Sequence, residues 1–158
     1  ERGLQEYLQD QFGHVSYERV CSGMGISNIY DYLKISGYAD EPRWMADRVE
    51  GLEDKTPAII ETALDSEREC ILCSKTLEMF LSILGAEAGN LALKLMASGG
   101  IYLGGGIPPR ILSALKEDKF MEGFFNKGRL EYVVEDIPVY VILTARAPLW
   151  GAAHYGLE

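Results

Sequence analysis

Apolar residues recur at helical spacing from the start of the chain. Leu4, Tyr7, Leu8 and Phe12 predict a helix that Gly13 ends. A second short helix is expected over Ser16 to Cys21, with Ser16 as its N-cap. Ser22-Gly23-Met24-Gly25 reads as a turn, and Ile26, Ile29, Tyr30 and Leu33 then mark an amphipathic helix that stops at Gly37. Residues 37–55 are polar, acidic and aromatic and read as a surface connection. Thr56-Pro57 opens another helix, with Thr as N-cap and Pro in the first position. Around Ser66 a long helix is expected to begin. Its apolar positions Ile71, Leu72, Leu77, Phe80, Leu81, Leu84, Leu91 and Leu95 carry it to about Ala97. Ala86, Ala88, Gly89 and Ala92 give this central helix a small-residue stretch where another backbone can approach closely.

The pattern changes after Ser98-Gly99-Gly100. Ile101-Tyr102-Leu103 is a short apolar run bounded by glycines, hence a buried strand. Gly104-Gly105-Gly106 and Pro108-Pro109 follow, then a helix over Arg110 to Lys116. Residues 118–135 are mixed, anchored by Phe120, Phe124 and Phe125. Val139 to Leu143 is a near-continuous apolar strand of the kind buried on both faces, and Pro148 to Tyr155 closes the chain as a helix. This order predicts an α/β fold with a largely parallel sheet.

A chain of 158 residues is long enough to bury roughly 68–70% of its unfolded surface without staples. Its formal net charge of −9, from 24 acidic and 15 basic residues, repels nucleic acid and anionic membranes, so neither is an expected partner. No apolar run approaches the ~20 residues of a membrane span. The opening Glu1-Arg2-Gly3-Leu4-Gln5 has no signal-peptide character and reads as a cut through a longer chain. Leu157-Glu158 reads equally as native or as a cloning remnant. Three cysteines without a secretion signal point to reduced thiols in a cytoplasmic protein.

The strongest local chemistry lies at Ile101 to Ile107. Consecutive glycines after a buried strand expose backbone at a sheet's carboxyl edge, where open α/β sheets bind ligands. Glycine also lets a flat ring or a sugar lie against the peptide plane. Taken alone, the triple glycine serves equally as a tight strand-to-helix turn. It is not a P-loop, since no Lys-Ser/Thr follows. Glu18, in the run His14 to Gly25, reads by itself as an ordinary solvent-facing residue. Cys70-Ile71-Leu72-Cys73 lacks the second pair or histidines of a zinc site and is expected to be two buried thiols on one helix face. His14 is expected to pack or cap near the neighbouring helix. Arg146, Trp150 and the acidic stretch Asp47 to Asp54 read as ordinary surface or packing.

Four segments taken in order are more specific. The run Gly13-His14-Val15-Ser16 through Ser22-Gly23, Gly89-Asn90-Leu91-Ala92-Leu93, Ile101 to Ile107, and Asp136-Ile137-Pro138-Val139-Tyr140 resemble the bacterial glucokinase family. The closing Gly151-Ala152-Ala153-His154 is similar to its terminal helix. The likeness runs from Gln5 to Tyr155 and is weakest over residues 37–68. It implies the ribonuclease-H-like, actin-like ATPase fold of hexokinase-type sugar kinases. Residues 1–147 would be the C-terminal part of the larger of two domains, and 148–158 a helix returning to the smaller one. It further implies that Gly104, Gly105 and Gly106 lie along adenosine, that Ser22 and Gly23 line the same nucleotide pocket, and that Glu18 accepts from the sugar's hydroxyls. ATP, Mg²⁺ and glucose are the implied ligands, and a cytoplasmic homodimer the implied assembly. No metal ligand is expected in this chain. The family's catalytic Asp, phosphate loops and Glu-Gly-Gly-His sugar motif do not occur in these residues, so the chain alone is expected to be inactive. Polyphosphate as donor, another hexose or N-acetylated sugar as acceptor, and a non-catalytic sugar or nucleotide sensor remain alternatives.

Overall fold

A computed structural model describes residues 1–144 and 146–157. Ala145 and Glu158, including the question whether Leu157-Glu158 is native, lie partly or wholly outside the described residues. The helices are α1 (Arg2–Phe12), α2 (Gly23–Ile35), α3 (Arg43–Val49), α4 (Thr56–Leu64), α5 (Ile71–Leu95), α6 (Leu112–Leu115), α7 (Asp118–Phe125), α8 (Glu131–Val134) and α9 (Ala147–Tyr155). The strands β1 (Ile101–Leu103) and β2 (Val139–Val141) run parallel, with Ile101 opposite Val139 and Leu103 opposite Val141. The chain is therefore α/β with a parallel strand pair, as the element order predicts.

The 25-residue helix α5 organises the core: α2 and α4 pack against it, and α7 makes the most extensive contact with it. Leu72, Leu77, Phe80 and Leu81 are buried along it as expected, whereas Ile71, Leu91 and Leu95 are exposed. Its close approach to α7 works through glycines on both helices. A Cβ at Gly85 would collide with the Phe120 carbonyl, and one at Gly89 with the Phe124 carbonyl. From the other side, a Cβ at Gly123 would strike the Ser82 carbonyl. Lys127 Nζ spans the junction, donating to Ala86 O at 2.8 Å; burial pulls its ammonium below the usual lysine range.

Several expectations are corrected. Residues 37–55 are not only a surface connection, because α3 lies within them and its Met45 is completely buried. The long helix starts at Ile71 instead of Ser66, since Asp65 Oδ1 accepts from Glu67 N at 2.8 Å and holds a local turn. Cys70 consequently precedes the helix, although both Cys70 and Cys73 are buried thiols. The helix expected from Arg110 to Lys116 is a single turn, α6. The stretch 118–135 is largely ordered into α7 and α8. β2 stops at Val141 and is not buried on both faces: Tyr140 is 46% exposed and Leu143 64%. With two strands among the described residues, the sheet cannot enclose it. Helix α9 has no buried residue, and Leu149, Trp150 and Tyr155 stand exposed on it.

Candidate functional site

The expected turn at Ser22 to Gly25 is the beginning of α2. Ser22 is its N-cap, with extended backbone, and its Oγ accepts from Gly25 N at 3.2 Å. The same hydroxyl donates to the Glu18 carbonyl oxygen at 2.6 Å, tying the cap to the preceding 3₁₀ turn Tyr17–Arg19. Asn28, one turn along α2, donates from Nδ2 to Arg19 O at 2.9 Å. Gly25 is the position where glycine is sterically required, because a Cβ there would sit 2.6 Å from Val20 O. Thr56 does not cap its own helix through its side chain. Its amide is capped by Asp54 Oδ1 at 2.9 Å, and its hydroxyl donates to Gly23 O at 2.7 Å. Sequence reasoning missed Asn28, Gly25 and this use of Thr56; the Gly-X-Gly spacing at 23–25 was the one local signal for any of them.

On the other side, Gly104, Gly105 and Gly106 leave the carboxyl end of β1 exposed to solvent. Gly105 has φ +110, a conformation that favours glycine. Added Cβ atoms at Gly105 and Gly106 would meet nothing within 4 Å. The two halves meet around one cavity of about 390 Å³, bordered by Ser22 and Gly23 on one wall and by all three glycines on the other. Phe80 and Leu84 of α5 also line it, as does Cys21. Burial pushes the Cys21 thiol up to about 11, with the Glu87 carboxylate adding to it, so it is neutral at pH 7. For the Tyr17 phenol the order is reversed: the Glu87 carboxylate is the largest influence raising it, followed by burial.

Glu18 is not part of this lining. Its side chain is exposed on the 3₁₀ turn, joined to the cavity wall through its carbonyl and Ser22. Ser16 occupies the N-cap position of that turn without a side-chain bond. His14 is exposed. A larger hollow of about 630 Å³ between α1 and residues 15–20 holds none of the six predicted site residues. Among the described residues no group of three or more His, Cys, Asp or Glu could hold a metal ion.

The family model for glucokinase matches residues 1–158. The chain belongs to the glucokinase family. It is 41% identical to the glucokinase of Synechocystis sp. over 95% of its length, and 42% identical to that of Nostoc punctiforme over the same share. The chain spans only 45% and 47% of those two relatives. Among solved structures, a glucokinase from an Antarctic psychrotroph superposes with a TM-score of 0.78 at 34% identity. That match covers 96% of this chain and 44% of the other. A glucokinase from Balamuthia mandrillaris, solved in complex with glucose, shares the fold at a TM-score of 0.64 and 21% identity, covering 89% of this chain and 35% of its own. The glucokinase family is thus reached over the whole chain, including residues 37–68, where the sequence resemblance is weakest.

Proposed function

We propose that the complete protein of which this chain is a part phosphorylates glucose to glucose 6-phosphate with ATP, and that this chain supplies the adenosine-binding wall and one sugar-binding carboxylate. The observation that carries this reading is the meeting of Ser22 and Gly23 with Gly104, Gly105 and Gly106 around one cavity. The glycine edge suits a nucleoside: a Cβ at Gly105 or Gly106 would project into open space, and without one a flat ring can lie against the peptide plane. The α2 N-terminus offers first-turn amides toward a phosphate, with Ser22 already engaging Gly25 N.

Glu18 would act by orientation. An ionised carboxylate accepts from two vicinal hydroxyls, each charged hydrogen bond contributing roughly 1.5–3 kcal/mol, and a sugar lacking one of them leaves the charge unpaired. Activation of the attacking hydroxyl and the contacts to the transferred phosphoryl group belong to residues outside this chain. Mg²⁺ is proposed to accompany ATP. Within this reading the contribution of this chain is to adenosine and sugar. The actin-like architecture goes with this reading, with 1–147 in the larger domain and 148–158 crossing to the smaller. The exposed apolar residues of α9 support that crossing. A homodimer in the cytoplasm is the proposed state; no helix is long and apolar enough to cross a membrane among the described residues.

The test is a coupled glucose-phosphorylation assay on the complete protein and on this chain, with ATP, Mg²⁺ and a panel of hexoses. Glucose turnover by the complete protein and none by the chain is the expected result. ATP binding without turnover of any hexose would favour the sensor.

A further inference from the structure

Thr56 is one of the few buried polar residues of the chain, 4% exposed, and belongs to a segment where the sequence resemblance is weakest. Its hydroxyl has one proton, given to Gly23 O at 2.7 Å across 33 residues of sequence. The remaining lone pairs face Ser27 Oγ at 3.4 Å, which leaves Ser27 as the donor. Asp54 Oδ1 fixes the Thr56 amide from outside the helix. The N-terminus of α4 is thereby fastened to the first turn of α2, at the residue that borders the cavity beside Ser22.

We propose that Thr56 is a positioning residue for the nucleotide wall: its hydroxyl holds the Gly23 carbonyl so that Ser22 and Gly23 face the glycine turn at the separation a nucleoside needs. This rests on the reading of the cavity as the nucleotide site. Thr56 itself does not border the cavity, so its effect is transmitted through Gly23. The hydroxyl is the functional part.

The test uses the complete protein. Thr56→Val keeps the shape and removes the donor; Thr56→Ser keeps the donor. Thr62→Val is the structural control, since Thr62 is equally buried on α4 but bonds Met45 Sδ and Arg48, away from the cavity. The expected result is a roughly three- to tenfold rise in KM for ATP in Thr56→Val, the scale of one hydrogen bond, restored by Thr56→Ser. Thr62→Val should lower the thermal midpoint with KM for ATP unchanged. Equal KM values in Thr56→Val and the parent, or the same rise in Thr62→Val, would overturn the proposal. Should Thr56→Val fail to fold, Thr56→Ala, which removes the same hydroxyl with a smaller side chain, carries the test: KM for ATP should rise, and an unchanged value overturns the idea. A parent protein that neither binds ATP nor phosphorylates a hexose would instead overturn the reading of the cavity.

Discussion

Gly106→Leu separates the ligand-clearance role of the glycine turn from its folding role. Gly106 has no positive φ, and a Cβ there meets nothing within 4 Å, so the backbone accepts a side chain without strain or collision. Substitutions at such open positions change stability by about 0.5 kcal/mol or less, and the thermal midpoint of the complete protein should stay within about 2 °C. Gly106 borders the cavity of about 390 Å³, so on this reading the longer side chain competes with the nucleoside at its edge. Forcing extra methylenes into a filled site costs about 1–3 kcal/mol, which is roughly a five- to 150-fold loss of affinity. The assay is KM for ATP at saturating glucose, beside KM for glucose at saturating ATP. A large rise in the first with the second little changed is expected. Gly105→Ala is the contrast: at φ +110 it should cost about 1–3 kcal/mol of stability with a smaller intrusion. An unchanged KM for ATP in Gly106→Leu, with the protein folded, would refute the placement of the nucleoside along this turn.

Glu18→Ala should raise KM for glucose strongly, by at least tenfold on the scale of lost charged hydrogen bonds, and leave KM for ATP nearly unchanged in the complete protein. Gly85→Ala should destabilise by about 1–3 kcal/mol, because its Cβ would enter the Phe120 carbonyl; a thermal midpoint equal to the parent's would refute the close α5–α7 approach. Glu41 accepts from Tyr30 Oη at 2.7 Å and Lys34 Nζ at 2.6 Å. Burial alone would raise its carboxyl, but these two donors outweigh it and hold it below the usual range. Its stabilising contribution is therefore full above the unfolded value of about 4.3 and is lost as pH falls through the lower folded value. Glu41→Gln should flatten that acid limb of a denaturation-midpoint-versus-pH curve, and an identical limb would count against the pairing.

The elements with strong local periodicity were legible: α1, α2, α4, most of α5 and β1 follow from apolar spacing and glycine stops. The misses have tertiary causes. Arg43–Val49 is short and broken by charges at Arg43, Asp47 and Arg48; Met45 is buried in the core and Trp44 and Val49 pack against it, contacts that no local pattern records. Val139–Leu143 has the pattern of a strand enclosed on both faces, yet it sits in a chain less than half the length of its relatives. The glycine edge was readable from Ile101 to Ile107 alone. The pairing of that edge with Ser22 and Gly23 came from family resemblance, since nothing in either segment refers to the other. Thr56-Pro57 looked like a self-capping helix start, but the hydroxyl serves Gly23 instead. A cap and a long-range clamp use the same residue, and only the fold distinguishes them.

What fixes the two walls against each other is α5. The Ser22-Gly23 wall belongs to α2, which α4 fastens through Thr56, and both helices pack on α5. The glycine wall ends β1, which pairs with β2. Phe80 and Leu84 of α5 lie in the lining between them, and Leu84 directly precedes Gly85, the glycine that admits α7. A helix of 25 residues is about 37 Å of continuous hydrogen-bonded rod, stiffer than the loops it supports. The width of the cavity is therefore a property of helix packing more than of either motif. Gly85, Gly89 and Gly123 set where α7 lies against that same helix, and none of them borders the cavity.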